Sequence, residues 1–150
     1  MANTQAFCTS AKVDLFNGTH AIGTPPVRAT NAKDVFKAAL FYAAASLGAA
    51  TTAYGTTNEV VGTGYTAGGV TITNATAPSS SGTTAFWTPS ASLAWTGLTA
   101  AAFDAVQFYN STQADASLAI FTFGSQSITA GNLTLGMPTN DASTGLIRIA

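Results

Sequence analysis

The sequence predicts an all-β domain, a jelly-roll-like β-sandwich with a short N-terminal helix. Short apolar runs with β patterning recur along the C-terminal part of the chain at spacings of about 10 residues. Turn signals separate them at Asn110-Ser111, Gly124-Ser125, Ala130-Gly131-Asn132 and Pro138-Thr139-Asn140-Asp141. The composition agrees, since 25 Thr, 12 Ser and 14 Gly point to a neutral, Thr-rich surface.

The elements follow in chain order. Residues 10–18 read as a short helix, with Ser10 as N-cap, Val13 and Phe16 on one face, and Gly18 closing it. Thr24-Pro25-Pro26 then breaks regular structure. Residues 34–45 carry two competing periods. Their alanines favour a helix, whereas Phe36, Leu40 and Tyr42 alternate as in a buried strand. A short connection, 47–54, follows in either case. Strands are predicted over 69–75, with Val70 and Ile72 on one face, and over 84–88 and 90–96, parted by Pro89 at an edge or corner. Residues 78–82 read as a loop. Further strands fall at 103–109, 118–123, 127–129, 133–137 and 146–149. No linker divides the chain, which predicts a single domain over 1–150, with a helix and extended segment over 1–30 and a β core over 31–150.

Composition limits the function. Five basic against six acidic residues cannot form a phosphate-tracking patch, so nucleic acid is not an expected partner. A single Cys and a single His offer no cysteine-ligated zinc site or multi-histidine metal site. The longest apolar run, 35–50, is broken by Lys37, so no membrane span is expected. The polar start MANTQAFCTS lacks a basic n-region, which predicts no secretory signal. Charged residues are only 7% of the chain. Over the roughly 7,000 Å² that a monomer of this mass exposes, that is about one charge per 640 Å². Interfaces are depleted in Lys, Glu and Asp, so this sparse surface fits one covered by neighbouring protein. It equally fits a solvated Thr/Ser surface, and composition alone leaves both open.

No catalytic constellation emerges. A nucleophilic site would need His20 with Cys8 or a serine, oriented by Asp14 or Asp34, yet no elbow or oxyanion motif accompanies them. The carboxylates Asp14, Asp34, Glu59, Asp104, Asp115 and Asp141 are scattered singly. The Gly-rich stretch 62–69 lacks a P-loop lysine and reads as a turn entering a strand. Phe86, Trp87 and Trp95 suit a core better than a sugar-stacking platform. Chance alone would give about two Asn-X-Ser/Thr sequons in so Thr- and Ser-rich a chain, and with no secretory signal expected, those at Asn17, Asn74, Asn110 and Asn132 are read as accidental. The expectation is therefore a non-enzyme with no catalytic, cofactor-binding or metal-binding residues. The apolar residues Phe7, Cys8, Val13, Leu15 and Phe16 of the N-terminal segment must be buried, against this chain's own core or against a partner.

At Glu59-Val60-Val61-Gly62-Thr63-Gly64-Tyr65 the chain resembles a family of small tailed-bacteriophage virion proteins, which includes capsid decoration and tail-fibre-like proteins with an EVSGxGYA motif. The family's other marks appear in the same order. They are an N-terminal helix (Val13-Asp14-Leu15-Phe16-Asn17-Gly18), an LYVGLF-like strand (Ala38-Ala39-Leu40-Phe41-Tyr42), a Trp strand (Leu93-Ala94-Trp95-Thr96), an FDA strand (Phe103-Asp104-Ala105-Val106) and an I-x-A-G-D-x-L turn (Ile128-Thr129-Ala130-Gly131-Asn132-Leu133). Val61 replaces the family's Ser, and Thr66 its Ala. The resemblance implies a strand over the ambiguous 34–45 stretch. It also implies a non-enzymatic virion protein, assembled in the host bacterial cytoplasm, whose partners are the major capsid protein and copies of itself as a dimer or trimer. Three functions follow as expectations: capsid decoration or cement protein, tail, neck or fibre component, and, more remotely, a carbohydrate-binding β-sandwich.

Overall fold

The computed structural model describes residues 2–8, 10, 11, 15, 19, 20, 22, 34–73 and 76–149. Their strands are β1 (Ala6–Phe7), β2 (Phe36–Tyr42), β3 (Val70–Thr71), β4 (Ser79–Ser81), β5 (Thr84–Trp87), β6 (Leu93–Asn110), β7 (Ala116–Leu135) and β8 (Ile147–Ile149). They form two antiparallel sheets, of order β1-β7-β6-β2-β3 and β4-β5-β8. The mostly-β expectation holds. This strand order does not by itself define a jelly roll, and the helix expected over 10–18 falls largely outside the described residues.

The 34–45 stretch is a strand over Phe36–Tyr42, followed by one 3₁₀ turn at Ala43–Ala45. Burial on both faces overrides alanine's helix propensity. Phe36, Ala38 and Leu40 enter the main core, while Ala39 and Phe41 pack behind it with Tyr109. A strand sandwiched on both sides reads as a near-continuous apolar run, and small alanines let neighbouring backbone approach.

The largest departure from expectation is the β6–β7 hairpin. The separate strands expected over 90–96 and 103–109 are one 18-residue strand. Those over 118–123, 127–129 and 133–137 are one 20-residue strand ending at Leu135. Gly124-Ser125 and Ala130-Gly131-Asn132 are not turns but bulges inside β7, where the pairing register shifts and Ala130 takes a positive φ of 49°. Two smaller corrections accompany this. Within the described residues 69–73, the strand expected over 69–75 covers only Val70–Thr71, and Ser79–Ser81, read as loop, pairs with β5. Pro89 lies between β5 and β6, at the corner the sequence suggested.

One core joins both sheets. Trp87 and Ile147 of the small sheet share it with Phe36, Leu40, Leu93, Trp95, Leu98, Phe103, Phe108, Leu118 and Ile120 of the large one. The N-terminal segment joins it too: Ala6 and Phe7 pair with Ile120 and Ala119, and Cys8 and Ala11 are fully buried. Asn3 ties the segment down further, donating to the Tyr42 carbonyl and the Asp104 carboxylate and accepting from the Leu47 amide. Of the two surfaces open to this segment, Phe7 and Cys8 therefore use their own sheet. Val13 and Phe16 lie outside the described residues.

Candidate functional site

The EVVGTGY motif folds into a polar knot on the outer edge of β2. From residue 58 the chain runs beside β2, with Asn58 accepting the Tyr42 amide and the Val60 amide donating to the Leu40 carbonyl. It then bows away and returns as β3. Tyr65 fills the gap that the bow leaves: its hydroxyl accepts the Leu40 amide at 3.0 Å and donates to Glu59 Oε1 at 2.7 Å. Glu59, only 4% exposed, also accepts the Gly68 amide on Oε1 and the Tyr54 hydroxyl on Oε2, at 2.7 and 2.6 Å. Tyr54 stacks on Tyr109 with ring centroids 4.3 Å apart, and the Tyr109 hydroxyl donates to the Gly68 carbonyl at 2.8 Å.

Two glycines of the stretch 62–69 serve close approach. A Cβ on Gly62 would lie 1.9 Å from the Thr99 carbonyl oxygen, and one on Gly69, at φ 69°, 1.8 Å from that of Ala38. The stretch is thus a turn pressed against β6 and β2, leading into β3 as the sequence suggested.

Chemically the knot is a clamp. Both oxygens of Glu59 are engaged by donors from its own chain. Burial, reinforced by the Glu59 carboxylate, holds the Tyr54 and Tyr65 phenols far above the ordinary tyrosine range. Tyr109 is pushed up to about 12 by burial and by the Asp115 and Glu59 charges. Phenols so held stay protonated, which suits hydrogen-bond donors and not a general base.

The residues weighed for nucleophilic chemistry are distributed over two buried clusters. The Cys8 thiol lies 3.0 Å from the Ser117 hydroxyl, which accepts from Gln107 Nε2. Burial raises the thiol's pKa, the condition of an inert, packed cysteine. His20 is also buried: Asn110 Nδ2 lies 3.1 Å from its Nδ1 and 2.8 Å from Asp34 Oδ2. An amide thus stands between the imidazole and the carboxylate. Asp14 lies outside the described residues. Asn110 is itself fully buried with its amide engaged, so its sequon is no glycan acceptor in the folded chain. Asn17 and Asn74 lie outside the described residues. Phe86, Trp87 and Trp95 are 9%, 2% and 3% exposed, which makes them core and leaves no sugar platform.

Three polar side chains whose roles no local pattern marks secure the bulges of the hairpin. Gly97, Ala102 and Ala130 all take positive φ. Their amides donate to Asn132 Oδ1, Ser127 Oγ and Thr99 Oγ1, at 3.1, 3.0 and 2.9 Å, each on the opposite strand. The I-x-A-G-D-x-L-like stretch is therefore a stapled bulge, with Asn132 as one staple. Finding these roles needs the register, which local sequence does not reveal.

A cleft of about 540 Å³ opens between the sheets, with Phe7, Ile120, Phe121, Ile147 and Arg148 in its walls. Among the described residues its lining holds no carboxylate, imidazole or thiol, and the Arg148 guanidinium donates to the Ala142 and Ser143 carbonyls. Among the described residues no group of three or more His, Cys, Asp or Glu is placed to hold a metal ion. Comparison with protein-family models, curated proteins and solved structures finds no match for the chain.

Proposed function

We propose that the chain is a non-enzymatic structural protein of a tailed-phage virion, a capsid decoration or cement protein that binds the outer surface of the major capsid protein beside copies of itself. Its two sheets are read as a jelly-roll-like sandwich. The observation that carries the proposal is the character of the β6–β7 hairpin. The 20 residues of β7 include no Lys, Arg, Asp or Glu, and the 18 of β6 include only Asp104. A long uncharged surface suits repeated contact with protein, because interfaces are depleted in Lys, Glu and Asp. The ordered run of family-like motifs supports the same reading. So does the structural use of Glu59, Tyr65 and the motif glycines, which gives the motif a purpose without catalysis.

The test is the copy number of this chain relative to the major capsid protein in purified virions, measured by quantitative mass spectrometry. Hundreds of copies per particle are expected. A few, or a few dozen, would move the protein to the neck, tail or fibre. Absence from particles would overturn the reading.

A further inference from the structure

The geometry points to the outer edge of β7, over residues 131–135, as a self-pairing edge, to which a second copy of this chain adds its own 131–135 antiparallel about a twofold axis at Leu133. The contact deepens the proposal that the chain works beside copies of itself, and it does not depend on where in a particle those copies sit.

The first observation is an open ladder. On the side of β7 away from β6, β1 pairs only with Ala119 and Ile120. Among the described residues no strand continues that pairing toward Leu135. Every second residue of an edge strand turns its N–H and C=O outward, and such an edge is a template for another strand unless it is blunted. Lys, Pro, inward charges and bulges are the usual defences. β7 carries no charge and no proline, and its two distal bulges lie before residue 131. From 131 to 135 it is regular, because the register shift opposite this stretch places the extra residue in β6, between Trp95 and Leu98. Five residues span roughly 17 Å, an ordinary strand length.

The second observation is that this stretch is complementary to itself. An antiparallel pair centred on Leu133 sets Leu133 beside its own copy, Leu135 beside Gly131, and Thr134 beside Asn132. Leu133 and Leu135 are only partly buried by their own core, so the second copy covers what remains. Thr134 and Asn132 are exposed on the other face, where they form a polar cross-strand pair. No like charges meet, a condition that self-pairing requires and that heterologous pairing does not. The β8 edge fails it: a twofold pair centred on its middle residue would set Arg148 against Arg148. β3 and β4 offer only two and three residues. A closed twofold contact of this kind uses one surface twice and ends at a dimer.

The experiment uses the purified full chain, with sedimentation equilibrium up to about 1 mM, a concentration that detects association with a Kd as weak as roughly 1 mM. Thr134→Lys, at an exposed position, brings two ammonium groups together across the axis, and Ile149→Lys is the control on the β8 edge. The expected result is a reversible dimer that Thr134→Lys weakens about tenfold or more and Ile149→Lys leaves unchanged, all three proteins having the same circular dichroism. Amide exchange in 131–135 should slow as concentration rises, a readout independent of the variants. A wild-type chain that stays monomeric at about 1 mM, a dimer indifferent to Thr134→Lys, or one lost in Ile149→Lys alone would overturn the contact. So would a ladder of larger species. A dimer in solution with few copies per virion would overturn only the head location, whereas hundreds of copies of a chain that stays monomeric would overturn only this contact.

Discussion

Replacing Glu59 tests whether the motif is a clamp. In Glu59→Ala three donors lose their acceptor at once: the Gly68 amide and the Tyr65 and Tyr54 hydroxyls. The Gly68 bond is buried, so its amide is left without a partner at a cost of about 1–3 kcal/mol. Tyr65 is partly buried and held in place by the Leu40 amide, so it adds about 1–2 kcal/mol. Tyr54 can turn to water and adds little. The sum, about 2–5 kcal/mol, is a large share of the 5–15 kcal/mol that holds a typical domain together. Glu59→Gln keeps the volume and one carbonyl oxygen, and its amide can donate to the Tyr54 hydroxyl. Only charge assistance is lost, about 1 kcal/mol. Urea unfolding followed by the fluorescence of buried Trp87 and Trp95 reads both variants. Less than about 1 kcal/mol for Glu59→Ala, or equal costs for the two variants, would refute the clamp.

Four further outcomes follow from the same structure. Gly69→Ala should cost about 2–5 kcal/mol, since its Cβ meets the Ala38 carbonyl at a positive φ, whereas Gly124→Ala, with nothing within 4 Å, should be nearly neutral in the same unfolding assay. Thr99→Val should cost no more than about 1 kcal/mol, because the Ala130 amide it releases is exposed to water, and Ala130→Gly should be near neutral or stabilise, because it relieves the left-handed strain. The tyrosines set an alkaline limit. Their folded pKa values are raised, so the stability they contribute is complete below the unfolded value, about 10. It is lost as pH rises toward the folded values, about 12 for Tyr109. Phenolate absorbance from Tyr54, Tyr65 and Tyr109 should therefore appear together with unfolding, and ionisation of all three near pH 10 in a folded protein would contradict the knot. Deleting residues 2–8 should destabilise the domain by at least about 3 kcal/mol in thermal or urea unfolding, through the loss of β1, the buried Cys8 and the Asn3 bonds.

The sequence by itself determined what local chemistry can express: a β class, a corner at Pro89, β5 and β8 close to their observed bounds, aromatic residues suited to a core, and too little positive charge for a phosphate-tracking patch. Local patterning alone could not decide 34–45, because the strand pattern and alanine's propensity point in opposite directions there, and only the family resemblance implied the strand that forms. Packing on both faces decided that stretch. Nor could it show β6 and β7 as continuous strands. Glycine, alanine and asparagine at 124, 130, 131 and 132 look like turn residues one at a time, and only the opposite strand supplies the Thr99 hydroxyl that lets the chain bulge and run on. Glu59, Tyr65, His20 and Asn110 carried no readable role for the same reason. A buried polar group's function is set by the partner it meets across the sheet, and hydrogen bonds spanning, as in Asn110 to Asp34, 76 residues of chain exist only once the tertiary fold has brought their ends together.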